Sequence, residues 1–218
     1  LKGVAFEKAP YGKHIIVSAI EHPAIKESAA WLKTQGFEVD YAPVDARGFV
    51  KVDALASLLR PDTTLVSVMA VNNEIGSIQP IHDIAALLED RPTVSFHVDA
   101  VQALAKVATE VYLPERVDFA TFSSHKFHGL RGVGFVYIKE GKKITPLLTG
   151  GGQEKEMRST TENVAGIAAT AKALRLAMEN QEAFASKTQQ MKEVIRKELA
   201  NYPDVTIFSG EDHFAPHI

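Results

Sequence analysis

The chain has 218 residues, 45% hydrophobic and 23% charged, a globular composition rather than a disordered or fibrous one. Its formal net charge of -3 provides no global basic field for nucleic acid or anionic lipid. With no cysteine, disulfides and cysteine-based metal sites are excluded.

The chain opens at Leu1-Lys2-Gly3-Val4 as if partway through a helix. His14 to Ala19 reads as a short buried strand. Pro23 opens a helix, because proline is tolerated in a first turn, and that helix runs from Ala24 to Gln35 and stops at Gly36. Phe37 to Ala42 is the next strand. Val52 to Leu59 has apolar residues at helical spacing and stops before Pro61.

Thr63 to Ala70 is a continuous β-branched and apolar run, the pattern of a strand buried on both faces. Pro80 opens a further helix to about Asp90. Val94 to Val98, Phe119 to Phe122 and Gly132 to Ile138 read as strands. Glu162 to Asn201 is a long helical stretch with a break near Gln181, and Val205 to Phe208 reads as a final strand.

This alternation predicts an α/β fold: a mostly parallel sheet flanked by helices. We expect a large domain over residues 1-160. Residues 161-218 should form a long helical linker and the start of a small C-terminal α+β domain. The chain ends just after a strand-like run, so an internal piece of a longer protein is expected. No apolar run is long enough to span a bilayer, and the first residues carry no signal-peptide pattern. A cytoplasmic location without membrane or direct nucleic-acid contact is the expectation.

In such folds ligands bind beyond the carboxyl ends of the strands. Polar clusters fall at those positions: Glu21-His22-Pro23, Asn72-Asn73-Glu74, His97-Val98-Asp99-Ala100-Val101-Gln102 and Ser123-Ser124-His125-Lys126. Lys126 follows a strand and precedes a glycine-rich run. It could be a surface lysine in a polar turn, a point charge on a phosphate, or a nucleophile toward a carbonyl. Asp99 ends an apolar strand, where a carboxylate costs desolvation unless paired. It could cap a helix or sit in a buried ion pair. A pyridinium nitrogen is another suitable partner, and its charge would make the ring an electron sink.

His22 could stack on a flat ring, act as acid or base, or simply cap a helix. Asn73 and Gln102 offer amides for a cofactor hydroxyl or a substrate carboxylate. A metal site using His97, Asp99, His125 and His128 is the rival use of these side chains, but the chain has no His-Glu-x-x-His and no cysteine.

Taken together these stretches resemble the class V aminotransferases of fold-type I, and within them the cysteine desulfurases of the NifS/IscS type. The resemblance also rests on Gly150-Gly151-Gly152-Gln153-Glu154 and Met157-Arg158-Ser159-Thr160-Thr161. It implies pyridoxal 5'-phosphate (PLP) as cofactor, with Lys126 carrying it as an imine. Asp99 would pair with the pyridine nitrogen, Gln102 would bond the ring hydroxyl and His22 would stack on the ring. Ser123 and His125 would hold the phosphate, and Asn73 would lie near the ring. Thr161 would reach the phosphate of a partner subunit's cofactor, which implies a homodimer. Lys126, His22 and Asp99 would be catalytic.

The resemblance further implies that L-cysteine is converted to alanine. Persulfide sulfur would be handed to an acceptor protein, for iron–sulfur cluster assembly or tRNA thiolation. The family places a phosphate-binding turn upstream of Leu1, and its persulfide-forming cysteine and a substrate-binding arginine downstream of Ile218, so this chain alone is expected to be inactive. Position 160 is threonine where the family usually has glycine. Another class V aminotransferase or lyase, or a non-catalytic dimerisation fragment, are the alternatives.

Overall fold

A computed structural model describes residues 1–217. Six strands form one sheet: β1 (His14–Ser18), β2 (Glu38–Ala42), β3 (Thr63–Met69), β4 (Ser95–Asp99), β5 (Phe119–Ser123) and β6 (Gly134–Ile138). Their order is β2-β1-β3-β4-β5-β6. Every neighbouring pair is parallel except β5 with β6. The helices are α1 (Lys2–Lys8), α2 (Pro23–Thr34), α3 (Val52–Leu58), α4 (Ile81–Leu87), α5 (Thr109–Tyr112), α6 (Val164–Glu179) and α7 (Gln181–Leu199). The sheet is therefore mixed and mostly parallel, with helices on both faces, as the alternation of patterns predicts.

Side-chain alternation along the strands divides the core in two. Ile16, Val66, Val68, Phe96, Val98, Ala120 and Phe122 point to one face, where Leu55 of α3 and Ile81 and Ile84 of α4 cover them. Ile15, Val17, Val39, Leu65 and Phe119 point to the other, where α1 and α2 supply Val4, Ala5, Ile25, Ala29 and Leu32. β3 is buried at every position, which is why its sequence is a continuous apolar and β-branched run.

The connections fix where a ligand can bind. From β1 the chain crosses through α2 to β2 on one side, then returns through α3 to β3 on the other. The crevice between the carboxyl ends of β1 and β3 is thus the topological switch point, the place where open α/β sheets bind ligands. α6 packs on the same face of the sheet as α3 and α4, through Ala173, Leu174 and Ala177. Ser124 and Thr170 share a 2.9 Å hydrogen bond, and Gln181 Nε2 donates to the Val107 carbonyl.

The break expected near Gln181 falls at Asn180, which ends α6 and precedes α7. Val205–Phe208 differs from expectation, because no strand forms there. Val205 and Phe208 are exposed and no neighbouring strand pairs with the segment. A β-prone run needs such a partner to become sheet.

Between β4 and α5 the chain turns, and Ala105 takes φ of 61°. That left-handed conformation costs an L-residue about 1 kcal/mol, because Cβ crowds the backbone. Ala105→Gly should therefore raise stability by about 0.5 to 1 kcal/mol, or ~2 °C in Tm. Thermal unfolding measures it, and a lower Tm would show that the buried methyl contributes more than the strain costs.

Candidate active site

The carboxyl edge of the sheet gathers the polar residues in two groupings at neighbouring strand ends. The first lies on the α1/α2 face. Asp99 ends β4 and is only 7% exposed. Its Oδ1 accepts from the Val101 backbone N–H at 3.1 Å. Burial raises its pKa, and the Val101 backbone hydrogen bond and the neighbouring His22 oppose that rise.

Asp118 shows how the same fold treats a structural carboxylate. It is 2% exposed, yet accepts from Arg116 at 2.9 Å, Lys142 at 2.9 Å and the Phe96 N–H at 2.9 Å. Buried charges are stable when paired in that way. Asp99 has no such ion pair among the described residues. A protonated ring nitrogen would supply the missing cation, so the donor set fits a pyridine cofactor at this position.

Beneath Asp99 on the same face lies His97, whose nitrogens meet Ser67 Oγ at 2.8 Å and Thr121 Oγ1 at 3.1 Å. Burial holds its pKa well below the usual imidazole range. Both ring nitrogens are spent on these hydroxyls, so the ring props up the layer beneath Asp99. His22 caps α2, with Nδ1 accepting from the Ala24 N–H at 3.2 Å. That bond leaves Nε2 as the outward nitrogen of the exposed ring.

The second grouping follows β5. Ser124–Phe127 forms a single 3₁₀ turn closed by His128 in the left-handed region. The turn presents Lys126 to a cavity of about 320 Å³ that is also lined by Lys106, Phe127, His128, Leu176 and Asn180. Lys106 was not apparent from sequence. Its Nζ donates to Gln102 Oε1 at 3.0 Å, and burial with the nearby Lys126 charge lowers its pKa to about 8. The structure thus sets Lys126 beside Lys106 and Gln102. Asp99 belongs with His22 and Glu21. The two groupings meet through the short segment Asp99–Gln102.

The structure also separates residues that look alike in sequence. Asn72 is committed: its Nδ2 donates to the Ile20 carbonyl, and its Oδ1 accepts from the Glu74 and Ile75 N–H groups. Ser124 is held by Thr170. The adjacent Asn73 and Ser123 are half-buried, His125 is exposed, and Thr161 is exposed in the segment before α6.

Comparison with known proteins identifies the family and the fold. The family described as Aminotransferase class-V matches residues 3–216. A NifS/IcsS protein homolog of Lactobacillus delbrueckii is 49% identical over the whole chain, which covers 57% of that protein. A cysteine desulfurase IscS of Clostridium botulinum is 43% identical over 97% of the chain and 53% of its own length. The chain therefore spans about half the length of the curated relatives it matches. A solved NifS-like protein superposes with a TM-score of 0.93 at 40% identity, covering 99% of this chain and 59% of its own. In fold and in sequence, the chain belongs to the class-V aminotransferase family.

Proposed function

We propose that this chain is the PLP-binding core of a cysteine desulfurase. The observation that carries the proposal is the pairing of strand ends. A buried carboxyl without an ion-pair partner among the described residues closes β4, and a cavity-lining lysine follows the neighbouring β5. The similarity to proteins named cysteine desulfurase supports the substrate.

When bound, PLP supplies an electron sink that makes the α-proton of an amino acid removable. Asp99 would hold the ring-nitrogen proton, Gln102 the ring hydroxyl, and Ser123 and His125 the phosphate. His22 would lie on the ring face, with Asn73 at its edge. Lys126 Nζ would anchor the cofactor and, once free, take the proton from the substrate α-carbon. In the overall reaction the C–S bond of cysteine breaks, its sulfur joins a thiolate acceptor, and a proton completes alanine. The chain has no cysteine, so that thiolate comes from outside these residues.

A homodimer in which Thr161 reaches the partner's phosphate belongs to the same proposal. So do a sulfur-acceptor protein serving iron–sulfur or tRNA chemistry, and a cytoplasmic setting. Residues 1-160 would be the cofactor domain, with 161-218 leading into a second. No helix among the described residues is long and apolar enough to cross a membrane.

Titration of the chain with PLP tests the reading. Saturable binding with a visible absorption band is expected, and the longest natural form should then release alanine from L-cysteine. Failure to take up PLP at any concentration would refute the cofactor assignment. PLP uptake with no turnover of cysteine by the longest natural form would move the substrate elsewhere in the family.

A further inference from the structure

Glu21 lies in the switch-point crevice and has no part in the reading above. It is 2% exposed. Its Oε1 accepts from Ser18 Oγ at 2.5 Å and from the Met69 N–H at 2.6 Å. Ser18 is the last residue of β1 and Met69 the last of β3, so one carboxyl oxygen joins the two strands that border the crevice. Its Oε2 is fully enclosed and has no hydrogen-bond partner among the described residues. A second bond of the same kind, from Asn72 Nδ2 to the Ile20 carbonyl at 3.1 Å, ties the loop after β3 to the residue just before Glu21. His22 follows immediately and is held as the cap of α2.

We propose that Glu21 is a positioning residue, a buried carboxyl clasp that joins the ends of β1 and β3 and so fixes the His22 turn beside Asp99. For its effect on the cofactor, the idea rests on the PLP reading above. The clasp itself does not need that reading. An enclosed carboxyl with one bare oxygen is poorly suited to carry charge. Burial accordingly raises the Glu21 pKa from 4.5 to about 8, and Asp99 on β4 adds to the rise. Ser18, the Met69 N–H and Lys26 on α2 pull the other way. Near neutral pH the clasp is therefore an uncharged acid. Asp99, whose own pKa burial also raises, faces His22 across the same wall.

The sign of the pH dependence follows. The unfolded chain releases the Glu21 proton near 4.5, whereas the folded chain keeps it up to about 8. Between those values the folded state binds more protons, so stability falls as pH rises. Below that window the contribution is fully present, and above it the contribution is lost. Glu21→Gln keeps an acceptor oxygen for both donors but does not titrate.

The experiment uses the 218-residue chain, its E21Q, E21A and E21D variants, and PLP itself as the probe. Without PLP, wild type and E21Q should unfold at similar temperatures at the acid end of the window. E21Q should be the more stable by ~5 °C or more at the alkaline end. In PLP titrations near neutral pH, E21Q should match wild type, whereas E21A should bind roughly tenfold more weakly, having lost both bonds. E21D, too short to reach both donors, should resemble E21A and serves if E21A does not fold.

Parallel unfolding of wild type and E21Q at every pH, or undiminished PLP affinity in E21A and E21D, would overturn the proposal. If wild type takes up no PLP, the cofactor reading fails, and the unfolding comparison alone decides the clasp.

Discussion

Lys126→Ala is expected to abolish covalent fixation of PLP to the chain. After incubation with PLP, reduction with borohydride and digestion, wild type should yield a labelled peptide containing Lys126. The variant should yield essentially none. The prediction is sharper than a loss of activity, because a second lysine stands in the same cavity. Lys106 has a readily deprotonated amine, lowered to about 8 by burial and by the charge of Lys126. A free amine is the form that attacks a carbonyl, so Lys106 is a rival nucleophile.

Geometry favours the other lysine. Lys106 Nζ is engaged with Gln102 Oε1 at 3.0 Å, and Lys126 makes no side-chain hydrogen bond among the described residues. Lys106→Met should therefore keep the label. Removal of Lys126 from the longest natural form should cost about 10²- to 10⁴-fold in turnover, the range for a positioned proton-transfer group. Label found on the Lys106 peptide in the Lys126→Ala variant would transfer the anchoring role to Lys106.

How much of this was legible in the sequence depends on which interactions are local. β3 could be read because burial on both faces leaves an unbroken apolar run, and α2 because Pro23 and Gly36 mark its ends. The strand-end clusters could be read because the chain itself places them just past apolar runs. Val205–Phe208 forms no strand because, although its composition suits one, no partner strand lies beside it among the described residues. Lys106 was missed because the turn after β4 brings it to Gln102, and a lysine four residues along carries no signal of its own. Glu21 was visible as part of a motif, but its work lies across the crevice: Ser18 is near in sequence, whereas the Met69 N–H is 48 residues away. Asn72 and Asn73, or Ser123 and Ser124, are equivalent on paper. Only the fold shows which member of each pair is already bonded.

Asp99→Asn should separate stability from catalysis, moving them in opposite directions. Asparagine is nearly isosteric and keeps an oxygen to accept from Val101 N–H. What it removes is a carboxylate that is 7% exposed and whose pKa burial has raised. A carboxyl with a raised folded-state pKa contributes most at acid pH, below its unfolded value. Its contribution is lost as pH climbs through the folded value. As pH rises, the wild-type chain without PLP therefore bears a growing cost of burying a poorly compensated carboxylate. Asp99→Asn relieves that cost. Its Tm without PLP should equal or exceed that of wild type near neutral pH, and the difference should vanish on acidification. With PLP the order should reverse, because a neutral amide cannot hold the ring-nitrogen proton. PLP should then stabilise the variant less than wild type. Turnover in the longest natural form should fall by about 10²- to 10³-fold, the loss seen when one preorganised electrostatic partner of a transition state is removed. The comparison with Asp118 provides the control. Asp118→Asn breaks contacts to Arg116 and Lys142 and leaves two cations short of their anion, so it should lower Tm at neutral pH with or without PLP. If Asp99→Asn destabilised the PLP-free chain as Asp118→Asn does, Asp99 would be a structural carboxylate, and its pairing with a cofactor ring would have to be abandoned.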